Sequence, residues 1–292
     1  NSDNLEKEEK FLFYSIANIQ DLYLLMLFTL IEIQKREEDF LDKSSKKHLV
    51  TAEERNPNNK FINNAVLKLL VESNAMSIAL ENRKVNDWHV NDEYIRILLE
   101  EIKASELYAN YMSNRENNFE EDKEFVVSIF TDLIAPNEKL YEYLEDNKLT
   151  WIDDIPLVNT LINKQLKSIK VTDEDFSIPR VYKDAEDKDF TKDLFRKVVL
   201  NEAALAKEFI DKTPNWDSDR IAEIDTIILK MAICEFLKFP SIPVKVTINE
   251  YLEIAKEYST PKSSIFINGI LDNLVKDFKE ANKLNKAGRG LM

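Results

Sequence analysis

The first 268 residues of this 292-residue chain contain no glycine; the three glycines are Gly269, Gly288 and Gly290. Nucleotide sites of the Rossmann and P-loop type need several glycines to bring backbone close to phosphate. That glycine-free length excludes them over most of the chain. Scarce glycine with abundant Leu, Ile, Glu, Lys and Asn points to helices. No stretch alternates apolar and polar residues with the β-branched richness of a strand. The expected fold class is all-α. Apolar residues make up 44% of the chain and aromatics 10%, which marks it as globular. The length allows one large domain or two ordinary ones.

The same inventory narrows the chemistry. The single cysteine, Cys234, can form no intrachain disulfide, which fits a reducing compartment. Two histidines, His48 and His89, suggest neither a metal cluster nor a nucleophile motif. The longest apolar run, Leu22–Ile31, is about half a membrane span. No signal peptide is visible. The expectation is a cytoplasmic, non-enzymatic protein with no catalytic residue, metal, cofactor, small-molecule substrate or membrane contact.

Charge is unevenly distributed. Residues 181–292 carry 18 basic and 19 acidic side chains, so nearly all of the net −14 belongs to residues 1–180, at −13. A surface that acidic repels a phosphate backbone. It suits a basic protein partner, or simply a soluble surface.

Apolar spacing predicts helices over 5–43, 61–83, 91–113, 118–135, 138–145 and 151–169. Residues 44–60, with Asn56-Pro57-Asn58-Asn59, read as a loop, and the acidic 171–189 as a linker. Four helices follow. The first covers 189–212. The second is capped by Ser218, with Asp219 in its first turn, and buries Ile221, Ile224, Ile228, Met231 and Ala232. At 100° per residue from Ile221, Asp225 falls at about 40° and Glu235 at about 320°. Both carboxylates therefore lie on or beside the apolar face. Either they meet a cation from another chain, or they tie down loops inside the fold.

Phe239-Pro240-Ser241-Ile242-Pro243 breaks that helix, and Pro243 suits the start of the next. The third helix carries the stripe Val244, Ile248, Tyr251, Ala255 and Tyr258. The last, capped by Ser263 or Ser264, buries Ile267, Ile270, Leu271, Leu274 and Phe278. Phe266 lies about 100° off that face, beside Gly269 and Asn273. Two readings fit: Phe266 stacks on a base while Gly269 lets a ligand approach, or both serve packing between helices.

Three blocks are familiar in combination. They are Trp216…Asp219-Arg220-Ile221-Ala222…Ile224-Asp225…Glu235-Phe236-Leu237, then Ile242-Pro243-Val244-Lys245-Val246…Ile248-Asn249-Glu250…Ile254-Ala255-Lys256, and finally Ser263-Ser264-Ile265-Phe266-Ile267-Asn268-Gly269-Ile270-Leu271-Asp272. In this order and spacing they resemble the NusB family of transcription antitermination factors. The resemblance covers residues 183–285. The remainder looks like the long Bacteroidetes-type variant.

The resemblance implies a NusB-like double helical bundle with an enlarged helical N-terminal part. Residues 1–182 would form the N-terminal region, with an insertion at about 50–180, and 183–292 the C-terminal part. It further implies binding of a boxA-type element in ribosomal RNA leader transcripts. The protein partner would be the ribosomal protein NusE, within an RNA polymerase antitermination complex. Carried over by position, Asp219, Asp225 and Lys230 lie on the helix used against NusE. Lys262, Ser263, Phe266 and Asn268 lie at the loop and helix placed near RNA, while Glu235 and Asn249 are structural.

Two departures stand out. The family's usual Arg/Lys-rich first segment is not what Asn1–Lys10 spells, and Lys262 stands where some relatives have an acidic residue. A competing expectation is a scaffold whose acidic insertion binds a basic partner, with RNA binding reduced or lost. A NusB-like appendage of an rRNA methyltransferase is disfavoured, because the glycine-rich cofactor loop and catalytic cysteine motif are missing.

Overall fold

The computed structural model describes residues 2–47, 51–210 and 222–291. These residues form helices and connections, with no strand among them. In chain order the helices are α1 (Ser2–Ser45), α2 (Ala52–Arg55), α3 (Ala65–Glu72), α4 (Asn74–Arg83), α5 (Asp87–Val90), α6 (Asp92–Ala104), α7 (Glu106–Tyr111), α8 (Phe119–Ile129), α9 (Glu138–Asn147), α10 (Ile155–Ser168), α11 (Ala185–Leu200), α12 (Glu202–Ile210), α13 (Glu223–Lys238), α14 (Val244–Tyr258) and α15 (Ser263–Glu280).

Several helices expected as continuous are broken. The expected 61–83 helix is α3 and α4, and 91–113 contains α6 and α7. The chain turns at Ser73 and Ser105, whose hydroxyls accept from the amides of Met76 and Tyr108. Serine competes with the helix for backbone bonds, so it starts a new helix where an apolar stripe alone reads as unbroken. Likewise the helix expected over 189–212 is divided at Asn201 into α11, which starts earlier at Ala185, and α12, and its last two residues lie outside the described ones. The 118–135 helix ends in a π-helical turn, Phe130–Ile134. Lacking glycine, α4 closes on Lys84 in the left-handed region, at φ 54°.

By its contacts the chain divides into two compact units, Phe13–Val181 and Asn1–Leu12 with Tyr182–Met292. In the first, the middle of α1 is the core. Leu22, Leu24, Leu27, Leu30 and Ile33 are fully buried. The indoles of Trp88 and Trp151 donate to the carbonyls of Leu25 and Asn18, at 3.2 and 2.8 Å. α1 is long and apolar enough to cross a membrane. Its apolar face is enclosed by protein, which is how the core helix of a bundle reads.

The same unit holds a buried polar cluster. Lys60, 1% exposed, donates to Glu121 at 2.8 Å and Asn114 at 2.9 Å. Asp122, also buried, accepts from Tyr111 at 2.5 Å and from the Ala65 amide at 2.9 Å. Every charge there has a partner, the condition under which buried ions are tolerated.

In the second unit α13 is central and packs against α11, α12, α14 and α15. Its buried residues lie on nearly all sides: Ile228, Leu229, Ala232, Ile233, Cys234 and Phe236. The segment after α15 returns to the end of α13. The Ala287 amide donates to the Pro240 carbonyl at 2.9 Å. Lys286 donates to the carbonyls of Glu235 and Phe239, at 3.2 and 3.0 Å, which satisfies the end of a helix that has no glycine cap. Gly290 lies so close to Pro240 that a Cβ would sit 1.9 Å from its carbonyl oxygen.

Candidate nucleic-acid and partner interface

The turn between α14 and α15 is held from beneath by Asp225. This residue is 4% exposed, in the first turn of α13. One carboxylate oxygen accepts from Ser259 at 2.5 Å, the other from Ser263 at 2.8 Å. The Ser259 and Ser263 hydroxyl oxygens lie 2.9 Å apart, and Thr260 and Ser263 share a bond of 2.8 Å. Three helices thus meet on one carboxylate: the start of α13, the end of α14 and the start of α15. Hydroxyls and the positive end of α13 stabilise its charge.

Ser263 differs from its expected role as a cap. It is the first residue of α15, the helix has no side-chain cap bond, and Lys262 occupies the cap position. The Ser263 hydroxyl goes to Asp225 because that buried carboxylate needs a donor more than the exposed helix amides do. Ser263 is itself 3% exposed. Of the residues carried over toward RNA, it faces inward, while Lys262 is exposed and Phe266 and Asn268 are half-buried. Phe266 packs on the edge of the unit's core. Asn268 bonds Asp272 at 3.3 Å, one turn along the helix.

Gly269 is exposed, and a Cβ built on it meets nothing within 4 Å. Among the described residues, packing against another helix does not account for it. A glycine inside a helix costs about 1 kcal/mol relative to alanine. Next to this face, Asn268 and Asn249 line a cleft of about 590 Å³ together with Lys245, Lys279 and Lys286. Lys245 and Lys279 bring positive charge to one side of α14 and α15, with Asp272 beside them, while Lys286 is turned to the end of α13. Burial pushes the Lys286 ammonium down from its ordinary value.

Glu235 lies inside the unit, 5% exposed. It accepts from Thr247 at 2.6 Å and Tyr251 at 3.2 Å. Burial raises its carboxyl above the ordinary value, and the two hydroxyl bonds oppose that rise. Its partners join α13 to α14, in keeping with a structural role.

Lys230 pairs with Glu202 at 2.8 Å. It lines an apolar cleft of about 430 Å³ with Leu12, Phe190, Leu194, Ile227 and Met231. Ile227 is 42% exposed there. Asp219 and the Ser218 cap lie outside the described residues. Sequence reasoning missed Ser259 and Thr260. It also missed the lysines of the α14–α15 cleft, because each contact joins segments distant in the chain.

Comparison with known proteins adds an independent line. The NusB family model matches residues 158–276. A transcription antitermination protein NusB of Salinibacter ruber is 46% identical over 110 residues, covering 37% of this chain and 68% of that protein. The NusB of Chloroherpeton thalassium is 41% identical over 112 residues, 38% of this chain and 53% of that protein. That of Clostridium kluyveri is 43% identical over 93 residues, 32% of this chain and 60% of that protein. The chain thus spans between about half and two thirds of these relatives. No solved structure gives a significant match. The family-model match begins within α10, crosses α11 to α14 and ends within α15, so it carries the Asp225 cluster and the start of the last helix, and on this match and the identity to the Salinibacter ruber protein the chain belongs to the NusB family.

Proposed function

We propose that this chain is a transcription antitermination factor. It would bind boxA-type RNA of ribosomal RNA leader transcripts together with the ribosomal protein NusE, as part of an RNA polymerase antitermination complex. The observation that carries the reading is the start of α15. Lys262 and Phe266 stand there on a turn braced by a buried carboxylate, in the stretch that the NusB family model matches. A rigid support holds a stacking ring and a cation in place without an ordering penalty on binding. Phe266 and Asn268 would meet bases, and Lys262 a phosphate. Asp225 and Ser263 would act from inside the fold as the brace.

NusE is the proposed occupant of the apolar cleft beside Lys230, where exposed Ile227 and half-buried Met231 offer an apolar contact with a charged rim. Residues 13–181 would be the variant's enlarged helical part, and α11–α15 the NusB-like part. The test is a titration of boxA-type RNA with and without purified NusE. Tighter, sequence-selective binding with NusE is expected. Equal, weak binding of any RNA under both conditions would overturn the reading.

The net charge of −13 on residues 1–180 favours a second reading, a scaffold for a basic partner. It predicts that NusE binds equally well in the absence of RNA, and that RNA adds nothing to the complex.

A further inference from the structure

Lys286 is a half-buried amine that the proposed function does not use. It lies in the segment after α15, and its ammonium donates to the carbonyls of Glu235 and Phe239, at 3.2 and 3.0 Å. Beside it the Ala287 amide bonds the Pro240 carbonyl at 2.9 Å, and Gly290 lies against the same carbonyl. The segment is thus fastened to the end of α13 by one side-chain charge and a short stretch of backbone. A cation on the last carbonyls of a helix is favourable, and holding two of them takes two N–H groups.

The same amine lines a cleft of about 590 Å³ with Lys245, Asn249, Asn268, Asp272 and Lys279. Burial pulls its pKa below the ordinary lysine value, against the opposing pull of the Glu235 carboxylate. A larger share of it is therefore neutral than of an exposed lysine, and the neutral amine is the nucleophile. Its two remaining N–H groups are enough for both carbonyls, which leaves the lone pair for reaction. Exposed Lys245 and Lys279 bring cations to the cleft, and Asp272 offsets them in part.

We propose that Lys286 is a modification site: an acyl phosphate held in this cleft acylates its amine, and the product releases residues 281–291 from the end of α13. Lys279 and Lys245 attract the phosphate, and Asn249 and Asn268 offer amide donors to its oxygens. The ammonium first gives one proton to solvent. The amine then attacks the acyl carbon, and the N–C bond forms as the bond from that carbon to the phosphate oxygen breaks. Phosphate leaves with the electron pair and takes up the second amine proton. The acylated side chain has no charge and a single N–H, so at most one of the two carbonyl bonds survives.

The probe is acetyl phosphate, incubated with the full chain at about pH 8, and each lysine is followed by peptide mass spectrometry. Lys286 should be acetylated about threefold or more faster than the exposed Lys262 and Lys276. Lys279→Met should slow Lys286 about threefold with acetyl phosphate, and leave its rate unchanged with acetic anhydride, which carries no phosphate. Hydrogen exchange at the Ala287 amide should speed up about tenfold in the acetylated chain and in Lys286→Gln, and stay slow in Lys286→Arg. Acetylation of Lys286 no faster than of the two exposed lysines overturns the proposal. So does an equal slowing by both reagents in Lys279→Met, or Ala287 exchange that acetylation leaves unchanged. These readouts contain neither RNA nor NusE, so the proposed function is tested separately.

Discussion

At the scale of single residues, two buried carboxylates on α13 have different chemical settings. Asp225 is surrounded by hydroxyl donors and sits at a helix start. Asp225→Ala removes two bonds to a charged acceptor and should lower stability by roughly 2 kcal/mol, read from urea denaturation. A shift within 0.5 kcal/mol, about that of an ordinary surface substitution, would contradict the bracing role. Glu235 is governed by burial instead, and its carboxyl titrates above the ordinary 4.5. The folded state then holds its proton more tightly than the unfolded state. Stability from this residue is greatest below about pH 4.5 and falls as pH rises through the folded value. Glu235→Gln removes that slope. The difference in unfolding free energy between variant and parent should therefore move in the variant's favour from pH 4 to pH 8. A pH-independent difference would contradict it. The sequence marked both carboxylates as anomalies of the apolar face, because helical angles depend on spacing alone. It left their partners open, since Ser259, Ser263, Thr247 and Tyr251 lie 12 to 38 residues away.

Among the elements, helix existence was legible and helix ends were not. Apolar periodicity is continuous through Ser73 and Ser105, so a stripe over 61–83 reads as one helix. The break arises because Ser73 caps α4 and also bonds Asp175, 102 residues away. Ser73→Ala loses both the cap and that contact, and should cost about 1–2 kcal/mol. The loss is measurable by thermal unfolding, and no change would mean that the kink is maintained by packing alone. At the other end of the chain, the fit of Gly290 onto Pro240 and the closure of α13 by Lys286 were invisible in sequence. A lysine in a polar tail gives no sign that it reaches the carbonyl of Phe239, at the end of a helix 47 residues earlier.

For the molecule as a whole, charge decides how RNA binding can work. A chain at −14 gains little from non-specific attraction to phosphate. Its proposed RNA face has a few cations, Lys245, Lys262 and Lys279, so log K against log salt should fall with a slope of about −2. A slope near −7 would point to a basic surface elsewhere on the chain. The sequence by itself determined the helical class, through scarce glycine and 3.6-residue periodicity. It also determined the family, through three motifs whose spacing is a local property, and the acidic character of residues 1–180. The tertiary structure alone decided which polar side chains face inward. Ser263 turned from a helix cap into a donor to Asp225, and Glu235 was joined to Thr247 and Tyr251. Those outcomes depend on which distant segments meet, and burial then sets which hydrogen bonds must be made. Neither is encoded in the pattern of neighbouring residues.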